Sequence, residues 1–208
     1  MAKALGESLG KEVVIEDVAW DGIIPALRSG KIDLIISSMT KTPERERAID
    51  FSDGYVSNGL CMLVAADSKI KSEADLNKKG VRVVVKLATT GDLWAKANLK
   101  NAQVLALDTA ATAALEVAQG KADAFIYDQI SIYQYWQKNK ETTQAILDPI
   151  RSETWGIGMR KGETELKTAV NAFLKEYRES GAFDQLAERY MAEEKKTFEQ
   201  LGVPFIFH

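Results

Sequence analysis

The 208 residues are 46% hydrophobic and 27% charged, an ordinary globular balance whose length suits one large domain or two small lobes. A net charge of -3 without a basic stripe argues against nucleic acid, and no apolar run approaches the ~20 residues of a membrane helix. One cysteine, Cys61, excludes an internal disulfide, and a single histidine, His208, argues against a His-based metal site or catalytic triad.

In chain order, residues 1–10 read as an amphipathic helix ended by Gly10. No signal peptide precedes it, so the sequence is either cytoplasmic or a trimmed piece of an exported protein. Residues 13–18, VVIEDV, read as a strand with Trp20 near its carboxyl end. Trp20 is a core aromatic on one reading and a cleft residue on the other. A helix over 21–29 stops at Gly30. The branched run 32–36 then reads as a parallel strand covered on both faces. It ends in Ser37, Ser38, Met39 and Thr40, so hydroxyls and backbone amides collect at a strand's carboxyl end, where open α/β sheets place their ligand crevice. Thr42, Pro43 and Glu44 make a helix start with Arg45 in its first turn. Free N–H groups and the helix dipole favour an anion there, and a planar guanidinium suits bidentate capture of a carboxylate.

Residues 51–55 read as a polar turn and 60–65 as a strand leaving the first lobe. A short helix over 70–76 and a β-branched strand over 81–86 open a second α/β unit, with Lys86 at the strand's end. Thr89 and Thr90 then cap a helix running through Asn98, as an anion-binding corner or as a simple cap. Gly120-Lys121-Ala122-Asp123 echoes Gly30-Lys31-Ile32-Asp33, each followed by three apolar residues and then polar ones, Ser37-Ser38 in the first copy and Tyr127-Asp128 in the second. An acid straight after a buried strand needs a partner, so Asp128 either caps the next helix or meets a cation in a cleft. Residues 147–153 read as a proline-bearing return linker and 155–159 as a strand. Helices over 163–180 and 184–195 follow, broken at Gly181. The apolar tail, 202–208, is extended and limited to an edge by Pro204.

Taken together, DGIIPALRSGKIDLIISSMTKTPERERAIDFSDGY, then VKLATTG, then GKADAFIYD, then WGIGMRKGETELKTAVNAF resemble the extracytoplasmic solute-binding proteins of amino-acid ABC importers, the polar amino-acid and glutamine-binding subfamily. The resemblance covers the chain in order and is most specific around Arg45 and Asp128. It implies an α/β, two-lobed periplasmic-binding-protein-like (type II) fold with a hinge of two crossing strands. Lobe one would be residues 1–57 with 156–208, and lobe two residues 60–151. Arg45 would take the α-carboxylate of an amino-acid ligand, helped by Ser38 and Thr40, with Ser37 beside them, and by backbone amides near Thr89 and Thr90, and Asp128 would take the α-ammonium. Trp20 would stack on the ligand side chain, with Lys86 and Tyr127 at its far end. Ala88 stands where the family usually has glycine. The implied partners are a polar or charged amino acid and the importer's membrane permease, in a periplasmic setting, with no cofactor, no metal and no catalytic residue.

The rival reading is an enzyme on the same fold, a prephenate or arogenate dehydratase, for which Lys86 and Tyr127 are the only candidate acids. A receptor's ligand-sensing domain is a third reading. Family members begin with a strand that this sequence lacks, beside residues 13–18 and 32–36. The N-terminally truncated lobe is therefore expected to fill that slot with its own tail or through a strand-exchanged homodimer. Pro204 makes the tail a poor central strand, which favours the homodimer and a weakened site.

Overall fold

The computed structural model describes residues 1–202 and Phe205. Helix α1 (Ala2–Leu9) ends at Gly10, whose φ of 61° is the left-handed cap that glycine adopts without strain. The strand expected over 13–18 does not form. No hydrogen bond joins the backbone of residues 12–18 to another described residue, and β-branched residues make a strand only where a neighbour takes those groups. Val18 packs onto the core, while Val14 and Ile15 stand 72% and 77% exposed. A 3₁₀ turn at Trp20–Gly22 leads into α2 (Ile23–Arg28) and then β1 (Leu34–Ile35). That strand is shorter than expected, half-buried at Leu34, and antiparallel to its partner rather than parallel. Helix α3 (Pro43–Ala48) starts as the sequence dictates, with the Thr42 hydroxyl accepting from Arg45 N and Pro43 leading the helix. β2 (Asp50–Phe51) and the long β3 (Val56–Ala65) follow.

The helix expected over 70–76 is only a 3₁₀ turn, Glu73–Asp75, closed by a Ser72–Asp75 capping box. Then come β4 (Arg82–Lys86), α4 (Thr90–Asn98), β5 (Gln103–Leu107), α5 (Ala110–Ala118), β6 (Ala124–Asp128), α6 (Gln129–Lys138) and β7 (Thr143–Trp155). The stretch read as a linker is thus part of a 13-residue strand. It lies at the edge of a sheet ordered β5-β4-β6-β3-β7, where Pro149 can turn its missing donor outward. This sheet belongs to a compact unit of residues 58–153. Its strands alternate strictly between two cores: Leu60, Met62, Val83, Val85 and Ile126 lie under α4, while Cys61, Leu63, Val84 and Phe125 lie under α5 and α6.

The other unit joins residues 1–57 to 154–208. β8 (Gly158–Met159) runs between β1 and β2, and α7 (Thr164–Glu179), α8 (Ala182–Tyr190) and α9 (Ala192–Leu201) complete it. The single helix expected over 184–195 is broken at Met191, whose φ of -144° is not helical. Of the tail read as extended, Gly202 is instead the left-handed cap of α9, with a φ of 67°, and Phe205 meets Phe198 edge-on, while the rest lies outside the described residues.

The internal echo has a physical reason. Arg160 grips the Asp33 carboxylate and the Ile32 carbonyl at 2.9 and 2.8 Å. Arg82 grips Asp123 through two nitrogens, at 2.7 and 3.2 Å, together with the Gly120 carbonyl. Each arginine therefore clamps the turn that launches the following strand, at the end away from the polar corners.

Candidate ligand-binding site

The first unit builds its corner around Arg45, which is 8% exposed. Its guanidinium donates to the Thr40 carbonyl at 2.9 Å and lies over the Trp20 ring, 5.4 Å from the centroid. Trp20, Thr40 and Arg45 thus come together as one polar-aromatic group, with the cation held against a π-face. Ser37 and Ser38 are exposed beside it, and Ser38 takes a φ of 55°, uncommon for a non-glycine residue. The Ser38 backbone bonds to the Tyr55 hydroxyl, while burial pushes that hydroxyl up to about 12. A cleft of about 290 Å³ in the same unit is lined by Gly54, Tyr55, Val56, Ser57, Thr154 and Arg178, none of them an expected ligand contact.

In the second unit, β4 and β6 run parallel and end at Lys86 and Asp128. Thr89 caps α4 by accepting from Asp92 N while its own hydroxyl donates to the Lys86 carbonyl at 2.7 Å. This leaves the leading amides of α4, at Thr90 and Gly91, without intrahelical partners, as at any helix start. A Cβ on Gly91 would stand 2.8 Å from the Ile126 carbonyl, so only glycine lets this helix end sit so close to β6. Asp128 does cap the next helix, accepting from Ser131 N at 2.9 Å. Desolvation pushes its carboxyl above the usual carboxylate range, Ser131 and Asn58 oppose that, and the charge of Glu153 adds to it. Tyr127 points away from α4, packing its ring on Phe125 at 5.3 Å within the α5–α6 core. Lys86 is half-buried at its strand end.

Two features of this corner escaped sequence reasoning. Glu153 is buried and accepts the Thr90 hydroxyl at 3.0 Å and Arg151 at 2.6 Å. Asp92, 1% exposed, holds the Ala88 N–H at 3.0 Å and pairs with Lys96 at 2.9 Å. Ala88 itself takes a φ of 59°, a conformation that costs a non-glycine residue roughly 1–2 kcal/mol. Glycine relieves that strain but gains entropy in the unfolded chain. Ala88→Gly is therefore expected to stabilise the protein by about 0.5–1 kcal/mol, a rise of roughly 1–4 °C in Tm. Leu87→Gly should lower the melting point in the same assay.

The family described as bacterial extracellular solute-binding proteins, family 3, matches residues 1–193. The chain belongs to this family. It is 32% identical over 184 residues to the ABC transporter glutamine-binding protein GlnH of Bacillus subtilis (strain 168), covering 88% of this chain and 67% of that protein. The L-cystine-binding protein TcyJ of Escherichia coli (strain K12) is 29% identical over 191 residues, 91% of this chain and 71% of its own. Among solved structures, an ancestral amino acid-binding protein described as a precursor of cyclohexadienyl dehydratase superposes with a TM-score of 0.83 at 41% identity, covering 91% and 82% of the two chains. A binding component of an ABC transporter from Wolinella succinogenes, complexed with lysine, gives 0.85 at 32% identity, with 90% and 82% covered. The resemblance carried by the Arg45 and Asp128 segments is borne out, and so is the α/β type II solute-binding fold it implied.

Proposed function

We propose that the chain is the capturing component of an ABC importer, binding a polar or charged α-amino acid outside the cytoplasm and delivering it to a membrane permease. The observation that carries this reading is the pair of strand-end corners, one built on a buried arginine beside an aromatic face and the other on a desolvated acid beside a helix start. Opposite charges at such corners suit the two ends of a zwitterion, with Arg45 and Thr40 on the carboxylate, Asp128 on the ammonium and Trp20 against the side chain. The relatives named for glutamine and cystine are binding proteins, as is the structural neighbour complexed with lysine, which supports binding over catalysis. Among the described residues no helix is long and apolar enough to cross a membrane.

Thermal-shift and calorimetric titration with the twenty standard amino acids tests the proposal. Stabilisation and saturable binding by one or a few of them is the expected result, and silence across the whole set would overturn it. The dehydratase reading keeps one observation in its favour, the structural similarity to a precursor of such an enzyme. Product formation from prephenate would establish it. The ribbon 12–18, whose backbone has no partner among the described residues and whose Val14 and Ile15 face outward, supports a homodimer that pairs this edge with a strand of a second copy. Light scattering at increasing concentration is expected to show the dimer, and a monomer throughout would remove it.

A further inference from the structure

Glu153 sits where a return linker was read, yet its side chain is only 4% exposed. Several elements bring it into the second unit's corner. β7 lies next to β3 in the sheet, and β3 pairs with β6 so that Leu60 stands opposite Asp128. The start of α4 is pressed onto β6 at Ile126, two residues before Asp128. Thr90, the first residue of that helix, reaches Glu153 directly, with 3.0 Å between Oγ1 and Oε2. A threonine hydroxyl has one proton to give, and here it goes to Glu153, so Oγ1 offers only lone pairs to anything else that approaches.

We infer that Glu153 is a positioning and specificity residue of the ammonium subsite: it turns Thr90 into an acceptor and, with Asp128, makes this corner a two-acid pocket for a primary ammonium group. The inference rests on the amino-acid reading given above. It adds a second acid and assigns the Thr90 hydroxyl to the cationic end of the ligand. The anionic end is left to Arg45 and to backbone amides.

Charge supports the geometry. Desolvation is the main cause that raises the Asp128 carboxyl, and Glu153 is the charge that raises it further. The other titratable groups that feel Asp128 are Tyr127 on its own strand, Cys61 on β3 and Tyr135 on α6, each raised first by burial and then by the Asp128 charge. Arg151, half-exposed and 2.6 Å from Glu153, is a cation that tempers the pair. An ammonium entering between two carboxylates relieves their repulsion, which a neutral or anionic group cannot do.

The test combines a carbon-13 NMR titration of the Asp128 carboxyl in the ligand-free protein with calorimetry, using whichever standard amino acid the parent binds tightest. Glu153→Gln should weaken binding about tenfold near neutral pH and move the Asp128 titration to lower pH by about half a unit or more. Arg151→Ala removes the tempering cation from the surface and should move the same titration the other way. It also keeps the test open if Glu153→Gln does not fold. Asp128 titrations that coincide in all three proteins would overturn the inference, as would an unchanged affinity in Glu153→Gln. A parent that binds no amino acid overturns the functional reading instead, because the carboxyl titrations need no ligand.

Discussion

Arg45→Ala is expected to lower amino-acid affinity by about a hundredfold or more, because truncation leaves a ligand carboxylate in a desolvated corner without its charged partner. The loss has three parts in the structure. The guanidinium spends one donor on the Thr40 carbonyl, which fixes its fork. It leans on Trp20, which removes water from one face. It issues from the first turn of α3, whose free amides already favour an anion. Arg45→Lys should rescue little, since a point charge cannot both hold Thr40 and fork onto a carboxylate. Calorimetry decides it: a change under about threefold would make Arg45 a packing residue.

Asp128→Asn is expected to abolish binding at ordinary ligand concentrations while the empty protein melts at the same temperature or higher. Asparagine is as good a helix cap as aspartate and can still accept from Ser131 N. The charge itself is a liability before the ligand arrives. Its folded pKa lies above the unfolded one, so its contribution to stability is complete at low pH and is lost as pH rises through the interval between the two values. Above that interval the ionised carboxylate costs stability, and the amide removes that cost. Binding runs the other way: an ammonium needs the ionised form, so affinity should fall as pH drops through the raised value. Without the charge, affinity should drop by about a hundred- to a thousandfold. An N-acetylated amino acid that binds the parent as tightly as the free one would sink the assignment.

The middle of the second unit was readable because its central strands are buried on both faces. Arg82–Lys86 and Ala124–Asp128 carry unbroken apolar runs, and Thr89, Thr109 and Asp128 announce the helices after them. What was missed lies at edges. β5 begins at Gln103 and is half-exposed, and β7 contains Pro149, so neither has the pattern of a core strand. Residues 13–18 failed in the opposite sense, since branched side chains report a preference for extended backbone but not whether a partner is present. In the candidate site, the groups carried by a local signature, Arg45 after Thr-Pro and Asp128 at a strand end, could be named from sequence. Glu153 could not, because only the pairing of distant strands brings it to Thr90, 63 positions away.

The two arginine clamps differ in one respect that bears on how the chain is made. Arg82 finds Asp123 across 41 positions, within a unit whose residues are contiguous. Arg160 must reach back 127 positions to Asp33, because its unit is interrupted by the other. Closing the longer loop costs only about 1 kcal/mol more. The larger difference is one of timing. Once residue 153 has left the ribosome tunnel the inserted unit has every residue it needs, while the sheet of β1, β8 and β2 still lacks its middle strand. Synthesis therefore favours an order in which the acid corner is in place first and the arginine corner waits, its early segments exposed, for the last quarter of the chain.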